Sequence, residues 1–174
     1  MAGNLQFIKS LSTSTAVSEL KLENCFNDKY DVYKVVLKVD SVTSEAAQSI
    51  RLVDSSNNVI SDTEYDFAYQ FMRVGSGSYS TDGTIGTTYW NFTMYNEGSV
   101  GGFFVMDIYN PYDSSSWTFA SWQMASHYLA SSQPVLMARK AIGVHRSEEQ
   151  ITGIAAIQSS TRLDGATLSV YGVK

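Results

Sequence analysis

Apolar and polar residues alternate along much of the chain with a period of two, which is typical of β-strands that have one buried face. The clearest case is the segment DVYKVVLKV at residues 31–39. Every second side chain of this segment is apolar, and these side chains are Tyr33, Val35, Leu37 and Val39. The opposite face carries Lys34 and Lys38, so the pattern predicts a strand with one side in a core.

Two other segments share this alternation. In GATLSVYGVK at 165–174, Leu168 and Val170 lie on one side with Ala166, which predicts a half-buried strand near the end of the chain. The segment EYDFAYQFMRV at 64–74 alternates aromatic and polar residues. A helix is the competing interpretation there, but the density of aromatic residues favours a strand.

Further strands are predicted in TTYWNFTMYN, GGFFVMDIYN, SWTFASWQMASHYL, PVLMARKAIGVHR and ITGIAAIQSS. Turns are expected at 55–58 within a hairpin, at 110–113 and at 163–165, and GSGSYSTDGTIG at 75–86 is predicted to be a long exposed loop. A helical turn is expected at most at 44–47 or 147–150. About ten strands in one domain, residues 1–174, predict an all-β, jelly-roll-like β-sandwich of two antiparallel sheets with little helix.

Composition narrows the function classes. The 174 residues are 44% hydrophobic and 17% charged, with a formal net charge of −5 and a pI near 4.9. Nucleic-acid binding requires a basic surface, so it is not expected. No apolar run reaches the length of a membrane span, and no signal peptide is evident at the N-terminus.

The residues that carry catalysis or bind metals are few. Cys25 is the single cysteine, so it forms no intrachain disulfide and is expected to be a small buried hydrophobe. His127 and His145 are the two histidines, and they would have to converge from different strands to bind a metal. Glu148 and Glu149 are adjacent, and their side chains are expected to diverge into solvent. We therefore predict no catalytic residue, no metal site, no cofactor and no enzymatic activity.

The aromatic residues allow two interpretations. Trp90, Trp117 and Trp122 could stack on sugar rings, or they could fill the core between two sheets, and the core is favoured. The tyrosines expected to lie outside, at strand ends or in loops, are Tyr69, Tyr79 and Tyr112.

Two terminal segments carry a resemblance to a known class of proteins. The first segment is FIKSLSTSTAVSELKLENCFNDKYDVYKVVLKV, in which Phe26, Tyr30, Asp31 and Tyr33 lead into the core strand. The second segment is ITGIAAIQSSTRLDGATLSVYGVK, which ends on residues 171–174, YGVK. Both resemble segments of small jelly-roll structural proteins of tailed bacteriophages, especially of cyanobacterial and marine phages. Together they cover roughly the outer third of the chain.

The resemblance implies a virion protein without catalytic residues: a capsid decoration (cement) protein that binds the major capsid protein and stabilises the outside of the head after assembly in the host cytoplasm. The alternative is a receptor- or carbohydrate-binding domain of a fibre or tail. A homo-oligomer, dimer or trimer, is expected in either case, with residues 1–16 as an arm that contacts a neighbouring subunit. The candidate interface or ligand contacts are Phe7, Ile8, Tyr79, Trp90 and Tyr112.

Overall fold

The computed structural model describes residues 4–42, 48–74, 79–94, 101–130, 133–158 and 163–174. Within these ranges the chain forms strands and connecting turns, without any helix, and accordingly no helix there is long and apolar enough to cross a membrane. The strands are β1 (Leu5–Ser12), β2 (Glu19–Leu22), β3 (Val32–Val42), β4 (Gln48–Asp54), β5 (Tyr65–Arg73), β6 (Tyr79–Thr87), β7 (Trp90–Asn91), β8 (Gly102–Tyr109), β9 (Thr118–Ala130), β10 (Gln133–His145), β11 (Ile151–Gln158) and β12 (Leu163–Val173).

The strands form two antiparallel sheets that pack face to face. The large sheet has eight strands in the order β1-β12-β3-β8-β9-β10-β5-β6, and the small sheet has four in the order β2-β11-β4-β7. The predicted all-β sandwich of two antiparallel sheets is therefore confirmed.

The core lies between the sheets and follows the alternation of the sequence. On β3, Leu37 is fully buried and pairs with Leu168 on one side and Phe104 on the other, both of which are also fully buried. Tyr33, Val35 and Val39 are equally inaccessible to solvent. Because burial of apolar area is the main favourable contribution to folding, this central row of the large sheet contributes much of the stability of the domain.

An aromatic cluster joins the two terminal segments that carry the resemblance. The Phe26 and Tyr33 rings pack edge-to-face with centroids 4.7 Å apart, and Tyr30 packs against Tyr33 at 5.6 Å. The Tyr33 hydroxyl donates a hydrogen bond of 2.6 Å to the carbonyl oxygen of Asn27. A Cβ atom at Gly172 would lie 2.6 Å from carbon atoms of the Tyr30 ring, so the glycine of the closing YGVK segment leaves the space that this ring occupies.

Burial also sets the chemistry of two groups near this cluster. Cys25 is fully buried, as predicted for a small hydrophobe, and its thiol donates to the carbonyl oxygen of Leu22 across 3.6 Å. Desolvation by burial raises the pKa of the Cys25 thiol to about 12. Desolvation likewise raises the pKa of Tyr33 to about 12, against the opposing effect of its hydrogen bond to the Asn27 backbone.

Several local predictions are wrong. Of the long exposed loop predicted at 75–86, the described residues 79–86 belong to β6, an exposed edge strand that pairs with β5. The turn predicted at 163–165 belongs to β12, and 147–150 form no helical turn. In the described part of the predicted strand TTYWNFTMYN, residues 87–94, Thr87 ends β6 and only Trp90 and Asn91 form a separate strand, β7. The possible helical turn at 44–47 lies outside the described residues.

The turn at 110–113 is confirmed, and Asn110 adopts a positive φ of 53° there. The turn at 55–58 also forms, with Asn57 at a φ of 65°. The hairpin around this turn is short, because the residues after the turn pair with β4 only through an isolated bridge between Val53 and Val59.

Residues 5–12 of the predicted N-terminal arm form β1, which pairs with β12 of the same chain at the edge of the large sheet. This part of the arm is therefore a structural strand of its own domain, and removing it would expose the edge of β12. Contact with a neighbouring subunit stays a prediction.

Candidate binding face of the large sheet

The face of the large sheet that points away from the small sheet, called here the outer face, carries many exposed apolar side chains. On β8 and β9 the alternation turns Phe103, Tyr109 and Phe119 outward, and on β10 it turns out Leu136 and Ile142. Ile142 is 64% exposed and Phe103 is 51% exposed. Several large exposed apolar side chains on one face of a sheet are typical of surfaces that bind a partner.

The strand register places small residues between these large ones. One row across the outer face runs from Asp107 on β8 through Ser121 and Ile142 to Ala68 on β5 and Gly83 on β6. Ile142 is the only large apolar residue of this row. The Ile142 side chain therefore projects above the smaller side chains of this row and separates neighbouring depressions on the outer face.

Three shallow depressions adjoin Ile142. The largest, of about 540 Å³, is bordered by Ile85, Tyr109 and Phe119. The second, of about 470 Å³, has Ala68 and Gly83 in its lining together with Gln70, Asp82 and Lys140. The third, of about 290 Å³, lies next to Phe103 and Lys34. All three open to solvent on the same face.

Charged groups of the outer face are held by partners on neighbouring strands. The Lys34 Nζ atom lies 2.5 Å from Asp107 Oδ1 across the β3–β8 pair. Asp66 accepts a hydrogen bond of 2.8 Å from the Gly86 amide and forms an ion pair of 3.1 Å with Arg146. These contacts orient Lys34, Asp107 and Asp66 within the outer face.

The structure does not bring the contact residues predicted from the sequence together. Phe7 on β1 and Tyr79 on β6 are 57% and 65% exposed, but they lie on the two opposite edge strands of the large sheet. Ile8 is half-buried against the core. Tyr112 lies in the turn after β8 and lines a separate depression of about 300 Å³ with Asp28 and Asp31.

The prediction for Trp90 as a contact is wrong. Its side chain is fully buried between the sheets, where it packs at 5.3 Å from the Tyr65 ring and 6.1 Å from the Trp122 ring. The core interpretation therefore holds for Trp90 and Trp122, whereas Trp117 is exposed. Of the tyrosines predicted to lie outside, Tyr79 is exposed and Tyr69 is only partly so.

Sequence reasoning missed the residues that form the outer face, chiefly Phe103, Phe119 and Ile142. The available signal was that strands β8 and β9 carry large apolar residues on both alternating sets, for example Phe103 beside Phe104. A half-buried strand normally has polar residues on its outer set. Apolar residues on both sets of a two-layer sandwich indicate that one set is free for a partner.

The two histidines lie far apart in the sheet register and in different surroundings. His127 pairs with Leu136 near one end of the β9–β10 pair, and His145 pairs with Thr118 at the other end. The His145 side chain is fully buried, and its Nε2 atom lies 3.2 Å from Asp62 Oδ1 and 3.9 Å from Glu149 Oε1. The expectation that the Glu149 side chain diverges into solvent is thus wrong.

No protein-family model and no curated protein matches the sequence. Solved structures to which this chain is similar include an exo-inulinase from Aspergillus awamori, with 9% identity over 99% of this chain and a TM-score of 0.49. The chain spans 30% of the length of that enzyme. Congerin II with lactose and MES bound is 13% identical over 86% of this chain and 98% of its own, with a TM-score of 0.34. An alginate lyase from Alteromonas sp. 272 is 11% identical over 99% of this chain and 92% of its own, with a TM-score of 0.28.

Proposed function

We propose that this protein is a non-enzymatic structural protein of a tailed-phage virion, which binds the outside of the major capsid lattice through its outer face and stabilises the head. The observation that carries the proposal is the set of exposed apolar side chains on the outer face, above all Phe103, Phe119 and Ile142. The resemblance of the two terminal segments to phage jelly-roll proteins supplies the class of partner.

The physical properties of the outer face suit a wide and lasting contact. Its side chains stand on the central strands of an eight-stranded sheet, so few of them lose freedom when a partner is bound. Large apolar side chains surrounded by paired charges resemble the apolar centre and polar rim of protein interfaces. A net charge of −5 is compatible with an outer position on the head and unfavourable for contact with packaged DNA.

Attachment to a lattice lowers the affinity that each copy needs. A capsid presents many identical sites, and a self-associated ligand gains avidity because its second site binds at a high effective concentration. A protein that binds only the assembled lattice also stabilises it by mass action, since dispersed subunits do not form the composite site.

Rebinding to phage heads tests the proposal. Heads purified without this protein are mixed with the wild-type chain or with the double variant Phe119→Ser, Ile142→Ser, and bound protein is measured by sedimentation. We expect the wild type to bind and to raise the temperature at which heads release DNA. Loss of two central apolar contacts is expected to weaken binding at least about tenfold.

The variant Phe7→Ser is the matched control, because Phe7 is similarly exposed but lies on an edge strand. It is expected to bind within about twofold of the wild type. If Phe7→Ser abolishes rebinding while the double variant binds normally, the attachment site lies at the β1 end of the outer face and not at its centre around Ile142. If wild-type protein neither binds heads nor changes their heat resistance, the capsid role is wrong.

One observation favours recognition of a carbohydrate on a fibre or tail as the second candidate. The depression lined by Gln70, Asp82 and Lys140 combines hydrogen-bonding groups with the apolar side of Ile142, which is a combination used for sugar rings. This candidate would be supported over the capsid role if the protein binds purified host glycans, if Lys140→Ala abolishes that binding, and if the protein does not bind bare heads.

A further inference from the structure

The side chains of Asp62, His145 and Glu149, called here the DHE cluster, converge at one end of the sandwich and take no part in the outer face. Their Oδ1, Nε2 and Oε1 atoms all lie within 4.8 Å of one another. Asp62 belongs to the segment that leads into β5, and Glu149 belongs to the connection from β10 of the large sheet to β11 of the small sheet. We infer that the DHE cluster is a binding site for a divalent transition-metal ion, with zinc as the best match.

The distances suit such an ion. Bonds of about 2.0–2.2 Å to imidazole nitrogen and carboxylate oxygen in tetrahedral geometry separate neighbouring ligand atoms by about 3.4 Å. His145 Nε2 lies 3.2 Å from Asp62 Oδ1 and 3.9 Å from Glu149 Oε1, which brackets that separation. Three protein ligands leave a fourth position for water. One nitrogen and two carboxylate oxygens are ligands that zinc accepts, whereas calcium requires six or more oxygen atoms.

The imidazole is held in the orientation that metal binding requires. His145 is fully buried and packs on the Tyr65 ring at a centroid distance of 4.5 Å, while Nε2 points to the two carboxylates. Both carboxylates are partly exposed, so an ion can reach the site from solvent. A buried ligand beside two accessible ones gives the site a fixed base and an open entrance.

The charges around the DHE cluster leave a place for a cation. Arg146, the residue next to His145, forms its ion pairs with Glu64 and Asp66. In the part of the chain that the structure describes, His145 is the only ion-pair partner of Asp62 and Glu149. Two carboxylates this close repel each other, and a divalent ion would remove that repulsion.

The second nitrogen of His145 also points to this interpretation. Nδ1 is buried and has no hydrogen-bond partner among the described residues, and the same holds for the hydroxyl of Thr118, the residue directly opposite on β9. When Nε2 binds a metal, Nδ1 carries the proton and normally donates it to a neighbouring oxygen. Because His145 and Thr118 face each other directly across the β9–β10 ladder, their side chains are neighbours on the same face, and a hydrogen bond from Nδ1 to the Thr118 hydroxyl would satisfy both groups.

The test uses the full chain, freed of metal by chelator and then dialysed against zinc, manganese or calcium chloride. We expect one zinc ion per chain by elemental analysis, and a rise in melting temperature of about 5 °C or more when free zinc reaches about 100 times Kd. Asp62→Asn and Glu149→Gln keep the size of each side chain and are expected to weaken zinc binding at least about tenfold, since even partners of ligands matter by that factor.

Glu148→Gln is the matched control, because it removes the same charge from the neighbouring exposed residue. It is expected to bind zinc within about twofold of the wild type. Circular dichroism in chelator establishes that all three variants are folded. The inference is overturned if the wild type binds no zinc, if it binds calcium more tightly, or if Glu148→Gln loses as much affinity as Glu149→Gln. Zinc binding that survives both ligand substitutions would place the ion elsewhere and would overturn it as well.

Discussion

The inner and outer faces of the large sheet are both rich in apolar side chains, but among the described residues only the inner face is covered by protein. Phe103 and Phe104 are neighbours on β8, and one is half exposed while the other is fully buried. The same contrast holds on β10 between Ile142 and Ala141. Packing inside the domain explains the inner set, so the outer set requires another explanation. A partner on that face is the explanation that we propose.

The largest expected difference between the faces is at neighbouring residues of β3. Leu37→Ala removes a fully buried side chain from the middle of the core and is expected to cost about 2–5 kcal/mol in free energy of unfolding. Val36→Ala, on the outer face of the same strand, is expected to cost less than about 1 kcal/mol. Chemical denaturation measures both. Equal losses would mean that the two faces of β3 are assigned incorrectly.

Substitutions that enlarge a side chain should also destabilise the protein more on the inner face than on the outer face. A Cβ atom at Gly143 would lie 2.7 Å from Trp90 Nε1 and 2.9 Å from Trp122 Cζ3. Gly143→Ala is therefore expected to cost about 1–3 kcal/mol through overpacking and to change the tryptophan fluorescence. Ala68→Val adds more volume on the outer face, and its stability is expected to stay within about 0.5 kcal/mol of the wild type. A neutral Gly143→Ala would show that the two tryptophans pack loosely.

Burial should also appear as a pH dependence. The pKa of Cys25 is about 12 in the folded protein and near 9 when the thiol is exposed, so the unfolded chain releases this proton first as the pH rises. Stability from the neutral thiol is thus present below pH 9 and is lost between about pH 9 and 12, at about 1.4 kcal/mol per pH unit.

Cys25→Ala removes the thiol and keeps the site apolar. From pH 8 to pH 10 the wild type is expected to lose about 1 kcal/mol more than Cys25→Ala, measured by denaturation at each pH. Tyr33 is present in both proteins, and its contribution is lost above its unfolded pKa near 10. Identical pH profiles for the two proteins would mean that the Cys25 thiol is accessible to water.

Local alternation was enough to predict the inner face. Leu37 and Leu168 repeat with period two in segments that end at polar residues or turns, and this pattern depends only on the chain near each residue. The sandwich followed from many such segments in a chain of this length. The resemblance of the termini led to the class of partner that we propose, but it did not identify a surface.

What the sequence did not reveal depends on pairing across the sheet. The β6 strand has glycine, serine and threonine at most positions and exposes almost its full length, so only its ladder with β5 makes it a strand. Trp90 is one aromatic residue among several in its segment, and its burial depends on the two sheets closing over it. The DHE cluster joins residues 62 and 145, whose approach follows from the β5–β10 pair.

The smallest expected change in stability is at the centre of the outer face. Ile142 is 64% exposed, so Ile142→Ser removes little buried area, and its free energy of unfolding is expected to stay within about 0.5 kcal/mol of the wild type. Ala141→Ser, the inward neighbour, places a hydroxyl in the core and is expected to cost about 1–3 kcal/mol. Chemical denaturation of both variants measures the difference in free energy of unfolding between these two adjacent positions. A loss above about 1 kcal/mol for Ile142→Ser would mean that the outer face is already covered in the isolated protein, either by a second copy or by residues outside the described ranges. Sedimentation of the wild type and the variant would show whether a second copy is bound.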